Sequence, residues 1–535
     1  MANPTFTECI DCGKTHPPRA LIPSPFHSIV TCEVFPSPSE ISAIREFTRD
    51  VETEIVQKKY AIDRLLCEVA ELRRRAEQHK SIIALIRRVP AEILAEIFLQ
   101  LAAIEAEIDG SSTYYTRDGE LFQRQYMVRP SSRRAPLIFG GVSRGWRSVS
   151  LSTPRLWNSI SLDCHSSNKI RVNVLFGDLW LKRAGSLPLS IRIYRDEIIP
   201  APDSNTLHEI QDLLRMILSY ANLWRFLDFD TLPPASCDIL NCMLDSAPLL
   251  ESIRVSHGRR YTTSGPTPWA GLRKAPKLTQ LCFDAFPPVE ITMGRGVFLW
   301  SQLTHISLGN ISAQDCIQIL NRAPVAVACR FIIAKNSSSS SDLRPIIHST
   351  LRALDVELYG DPSLLWSLFD CPILSSLSVF TENLDLGMSQ NFFQGLPHFI
   401  KRCGKTIEEF AMRGSSFDDR QFLACLADMP QLRHLDITED EMAQFTALVW
   451  ESLTWATDKG LPPPLIPKLE SLVLIGGERF GHKAVVGMLK SRIQTADRPA
   501  DFVSLKAVHF LIGQSLPDIP PWVQEWAPTK HFVYR

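Results

Sequence analysis

Several things are missing from this sequence, and each absence narrows what the chain can be. None of its 535 residues belongs to an apolar run of 18, so no membrane-spanning helix is expected. Charge of one sign is missing too: 57 Lys and Arg stand against 58 Asp and Glu, a formal net charge of −1. That balance gives no general pull toward nucleic acid and no acidic, solvating tail. Met1 to Ile10 lacks the basic segment and apolar core of a secretory signal. The thirteen cysteines are scattered, as at Cys67, Cys164, Cys237, Cys282 and Cys371, rather than packed into a short framework. Reduced thiols in cytosol or nucleus are therefore expected. Disorder is excluded by composition, because 45% hydrophobic and 21% charged residues can bury a large core.

Residues 1–40 are broken by Pro4, Pro17, Pro18, Pro23, Pro25, Pro36 and Pro38. Proline fixes φ and removes a donor, so this stretch reads as a flexible arm. From Glu40 to Arg87 there is neither Pro nor Gly. A seam at alternating steps of four and three runs Ile44, Thr48, Val51, Ile55, Lys58, Ile62, Leu65, Val69, Leu72, Ala76, His79, Ile83, Ile86. Ten of its thirteen positions are apolar, which predicts an amphipathic or coiled-coil helix over 41–87. Its stripe needs a partner, either the rest of this chain or a second copy in a homodimer.

Beyond Leu162 the pattern changes to short apolar strands separated by helical pieces. Leu-rich segments recur from Leu223, Leu249, Leu278, Leu303, Leu351, Leu374, Leu432 and Leu469. Their template is L-x-x-L-x-Φ, and the first starts lie 26, 29 and 25 residues apart. Pro248, Pro276, Pro372, Pro430 and Pro467 precede several of them. Strand and helix alternating at this period mark leucine-rich repeats, so residues 163–535 are expected to form an α/β solenoid. The leucines should face the core, and Arg254, Gln280, His305 and His434 should stand near or within strands on the strand-lined face. Asn336–Asp342 reads as a flexible insertion.

Residues 88–162 hold three amphipathic pieces. In the first, Val89-Pro90-Ala-Glu92, the proline suits a first helical position and the glutamate sits in the positive first turn. Ile93, Ile97 and Leu101 then fall at i, i+4 and i+8, with Leu94 and Phe98 beside them. A polar stretch, about 105–134, reads as a long surface loop. Phe139, Val142, Trp146 and Val149 fall at helical spacing after it. Ser152-Thr-Pro154-Arg-Leu156-Trp157 then supplies a cap, a proline in the first turn and a Leu-Trp pair.

These pieces resemble the F-box. Val89-Pro90-Ala-Glu92-Ile93, Val142-Ser143-Arg144-Gly-Trp146-Arg147 and Pro154-Arg-Leu156-Trp157 match its pattern residue by residue. The chain departs from that pattern in its long insert and in Gly140, Gly141 and Gly145. With the heptad helix and degenerate repeats, it resembles the large F-box families of mushroom-forming fungi. The resemblance implies a non-catalytic substrate receptor of an SCF-type cullin–RING ubiquitin ligase. The F-box would dock a Skp-family adaptor, and through it a cullin, with Pro90, Ile93, Leu94, Ile97, Phe98, Leu101, Val142, Trp146, Leu156 and Trp157 as partner-binding residues. The repeats would hold a target protein, with no cofactor, membrane or nucleic acid involved. The alternative is a self-associating scaffold whose F-box no longer engages an adaptor.

Four further motifs carry less. Gly141-Val-Ser-Arg-Gly145 has the letters of a nucleophile elbow but reads as amphipathic helix. Gly476-Gly-Glu-Arg-Phe-Gly-His-Lys483 approaches a phosphate loop, but its Lys is one residue late and Ala484 replaces the Ser/Thr. Cys9 and Cys12, with His16 and Cys32, have the spacing of a small zinc knuckle or of free thiols on an arm. Arg117, Arg124, Arg129, Arg133, Arg134, Arg144, Arg147 and Arg155 make a locally basic stretch without nucleic-acid motifs.

Overall fold

The structure is a computed structural model. It describes residues 7–8, 15–16, 24–32, 35–110, 127–195, 203–230, 232–233, 239, 246–256, 272, 274–283, 299–335, 344–381, 393, 395–414, 418–438, 445–455, 465–476, 482–493, 503–512 and 532–534. The chain divides into two units, Met1–Pro90 and Ala91–Arg535.

In the first unit the Pro- and Gly-free stretch forms one helix of 46 residues, Pro38–Ile83. Ser37 starts it with a capping box. Its Oγ accepts from the Glu40 N–H at 3.4 Å, and its own N–H donates to the Glu40 carboxylate at 2.7 Å. Pro38 sits where a helix needs no N–H, so the last proline of the arm begins the helix. Along its length Glu71 pairs with Arg74 and Arg75, and Glu77 with Lys80, at 2.8–2.9 Å. Such exposed pairs add a few tenths of a kcal/mol each. The α-helix ends at Ile83, and Leu85–Arg88 continue as a 3-10 turn. Within the proline-rich arm, His27–Cys32 is a short helix, and Phe26 meets Phe47 edge-on at 5.9 Å. Cys9 and Cys12 lie outside the described residues.

The second unit opens with the helix Ala91–Gly110, which carries Glu105–Gly110 as helix rather than loop. Residues 111–126 lie outside the described residues. The Glu105 carboxylate accepts from the Ala135 N–H at 2.8 Å, tying the return of the chain to this helix. The expected helix through Phe139 and Val149 is two helices, Leu137–Val142 and Arg144–Leu151. Gly140 and Gly141 weaken the first. Ser143 then turns extended, and its hydroxyl accepts from the Trp146 N–H at 3.1 Å. A serine here stabilises a helix start better than a helix interior. Phe98 stacks on Phe139 with centroids 3.9 Å apart and leans on Trp146 at 5.0 Å, closing the small core.

Fourteen described strands follow in a single sheet, paired in chain order from Ser159–Asp163 to Phe532–Tyr534, every pairing parallel. The register explains the leucine template. Leu432, Leu435 and Ile437 are buried, as are their counterparts Leu469, Leu472 and Leu474 in the next repeat. Alternation along a strand sends every second side chain the other way. Helices such as Ala313–Arg322 and Asp419–Ala427 connect the strands, capped by Ser312 and Asp418. The fold is an α/β solenoid, as the repeats implied. The first two units start one residue later than their leading leucines. Trp224 and Leu250 hold the buried first position, and Leu223 and Leu249 are only half-buried. Asn336–Asp342 lies outside the described residues.

Candidate functional site

The helix Ala91–Gly110 has two apolar faces. Leu94, Phe98, Ala102 and Ala106, spaced by four, are buried. Ile93, Ile97, Leu101 and Ile104 stand 55%, 39%, 44% and 52% exposed. A helix of a lone globular unit carries charged or polar residues on its second face. Here Glu92 and Glu96 only flank a row of branched apolar side chains. Val142, Ile138 and Leu151, from the next two helices, are also exposed.

The ten residues of the F-box resemblance therefore divide. Pro90, Ile93, Ile97, Leu101 and Val142 are exposed, and Trp146 is half-buried. Leu94, Phe98, Leu156 and Trp157 are spent inside the fold. Trp157 is the clearest case. Its indole N–H donates to the Ser150 carbonyl at 2.8 Å, and its ring meets Trp180 edge-on at 4.8 Å. Arg183 lies over the ring at 4.5 Å. Trp157, Ile160 and Leu162 repeat the spacing of Leu432, Leu435 and Ile437, so this tryptophan is the leading core residue of the first solenoid strand. Ile104, Ile138 and Leu151 join the exposed set without having been singled out from sequence. Ile104, three residues after Leu101, was legible as an i+3 continuation of the same helical stripe.

A second surface is the open face of the sheet, where residues between the buried positions line up across strands. Toward its first strands the face is internally neutralised. Arg192 lies 2.7 Å from Asp230 and 3.3 Å from Asp228. Burial opposes its charge, but the two aspartates outweigh that and hold its pKa above the ordinary value. At the middle of the sheet Arg330 lies between Glu357, at 3.1 Å, and Asp355, at 4.0 Å. Toward the last strands a cavity of about 600 Å³ lies over small residues, Ala353, Ser376, Ser378, Ala411 and Ser471, edged by Asp355, Glu409, His434 and Asp436. Arg254, Gln280, His305 and His434 all take open-face positions in the register.

The remaining motifs are absorbed by the fold. Gly141 and Val142 end the helix Leu137–Val142 rather than a strand, and the Ser143 hydroxyl is the helix cap described above. Gly476 ends a strand and Lys483 falls within the helix His482–Ile493, while the loop between lies outside the described residues. Burial raises the thiols of Cys164, Cys329 and Cys425 well above their ordinary range, so they act as small core residues rather than nucleophiles. Among the described residues no three His, Cys, Asp or Glu side chains gather to hold a metal, and no helix is long and apolar enough to cross a membrane.

No protein-family model and no curated protein matches the chain. Among solved structures it is loosely similar to the complex of Rad7 and Elc1 from yeast, at 11% identity and a TM-score of 0.34, over 88% of this chain and 96% of that one.

Proposed function

We propose that the chain is a non-catalytic substrate receptor of a cullin–RING ubiquitin ligase. In this reading, Ile93, Ile97, Leu101 and Ile104 dock a Skp-family adaptor, and the open face of the solenoid holds a target protein. The observation that carries the reading is the second apolar face of the Ala91–Gly110 helix. That face coincides with the exposed half of the F-box resemblance. Branched apolar side chains left in water cost free energy that a partner's apolar groove recovers, at about 25 cal/mol per Å² removed from water. Such a receptor performs no bond chemistry. It raises the local concentration of a target beside the ubiquitin-carrying enzyme. Its target specificity resides in side chains dispersed over many strands.

The test is co-purification of the full chain with a Skp-family adaptor. Ile97→Asp combined with Leu101→Asp is expected to abolish capture and leave the unfolding transition in place, because both sites are already exposed. A folded double variant that still captures the adaptor would sink the proposed face. Failure of the unaltered chain to capture any adaptor would favour the scaffold alternative.

A further inference from the structure

The heptad seam of Pro38–Ile83 specifies what covers it, and we infer that the chain is a parallel two-stranded dimer through this helix. The inference rests on the helix alone and not on the ligase reading. Six apolar seam residues, Val51, Ile55, Ile62, Leu65, Val69 and Leu72, interrupted only by Lys58, are between 40% and 63% exposed. They span three heptads within a seam that runs from Ile44 to Ile86, beyond the three to four heptads that define a coiled coil. The step order assigns Ile55, Ile62 and Val69 to position a, and Val51, Leu65 and Leu72 to position d, where leucine leads. β-Branched residues at a with leucine at d favour two parallel strands over three or four.

Charge supports the same arrangement. In a parallel pair each g residue faces the e residue five positions on in the other strand. Glu54 then meets Lys59 of the second copy, and Glu68 meets Arg73 of the second copy. Within one helix these glutamates hold only loose pairs, to Lys58 at 3.8 Å and Arg64 at 3.6 Å. Among these g–e meetings the one unfavourable is Arg75 with Lys80. Both are already engaged at 2.9 Å, by Glu71 and Glu77. Lys58 and His79 at d positions reduce affinity and fix the register, because a one-heptad slip would set Lys58 against Val51 and Leu65, and His79 against Leu72 and Ile86. The consequence is bivalence: one particle carries two solenoids, so a target with two recognition segments is held by avidity.

The test is sedimentation equilibrium of the full chain at micromolar concentration. The expected mass is twice 60.3 kDa. Ile55→Asp with Ile62→Asp should weaken association by about 100-fold or more, since each buries a charge in the seam, and Lys58→Leu should tighten it about tenfold. Direction is read with Val51→Cys under mild oxidation, against the unaltered chain as background. Parallel strands set residue 51 against itself and give a rapid covalent dimer, whereas antiparallel strands do not. A monomer, a trimer, a dimer indifferent to the two aspartates, or a dimer that Val51→Cys cannot cross-link would each overturn the inference. Adaptor capture measured on the same samples keeps this outcome separate from the fate of the ligase reading.

Discussion

Leu72 and Leu435 each belong to an apolar series repeated down the chain, yet Leu72 is 63% exposed and Leu435 is 1% exposed. The difference lies in how each element finds its partner. A strand of the solenoid is followed, some 25 residues on, by another whose apolar residues fall in register with its own. Each repeat therefore covers the last. A helix satisfies its own backbone hydrogen bonds and has no such successor, so its stripe stays open until another helix meets it. The solenoid is stabilised from within, and the helix is ready for a partner. The arginines follow the same division. Arg74 and Arg75 hold exposed ion pairs on the helix, whereas Arg492 is fully buried and donates to the carbonyls of Leu453, Ile466 and Leu465 at 2.6, 3.0 and 2.7 Å.

The largest effect should come from that contrast. Arg492→Met leaves three carbonyls without their charged donor and is expected to cost about 3–6 kcal/mol of solenoid stability. Arg75→Met should stay within about 0.5 kcal/mol, as exposed pairs do. Urea unfolding of the full chain reads both. Equal effects would show that Arg492 does not hold this corner of the solenoid.

The leucines give the next step. Leu435→Ala should cost about 2–5 kcal/mol through lost burial and a cavity. Leu72→Ala should leave the solenoid transition where it is and appear only as weaker self-association. If Leu72→Ala lowers the unfolding midpoint as much as Leu435→Ala, the helix is not the open element described here. A smaller effect belongs to the helix start. Ser37→Ala removes the cap and should cost about 1 kcal/mol locally, visible as faster amide exchange in the first turn with unchanged exchange in the strands.

Much of this division was legible in the sequence, for a physical reason. A parallel strand buried on one face must place apolar residues at fixed offsets, and leucine fills most of them. The reading failed where another residue met the same demand. Ala326, Cys329 and Phe331 form one complete core set, and Ile407, Phe410 and Met412 another, all buried, with no leucine among them. Trp157 was assigned to the F-box pattern, although it also occupies the first core position of the solenoid. One residue can satisfy a motif and a repeat, and spacing alone does not say which demand buries it. The break at Ser143 was missed because Phe139, Val142, Trp146 and Val149 keep helical spacing across two helices. Arg492 left no signal, since a lone arginine gives no hint that three carbonyls will converge on it. The two apolar faces of Ala91–Gly110 could be read as a set, but only the fold shows which face is spent.

The smallest expected effect is also the most direct check on the strand register. His434 and Leu435 are neighbours, so no difference in loop, helix or repeat separates them. In a strand they must face opposite ways. Leu435 pairs across the sheet with Phe410 and Leu472, both buried, and His434 pairs with Glu409 and Ser471 at the edge of the open-face cavity. His434→Ala should therefore change stability by less than about 0.5 kcal/mol, against several for its neighbour. The two unfolding midpoints, measured side by side in the full chain, decide the matter. A reversed order would mean that the face taken here as open is the packed one. The cavity edged by Asp355, Glu409 and Asp436 would then lose its standing as a place for a target. If the order holds, His434→Ala changes the open face while leaving the core intact, and any loss of target capture by that variant reports on recognition rather than on folding.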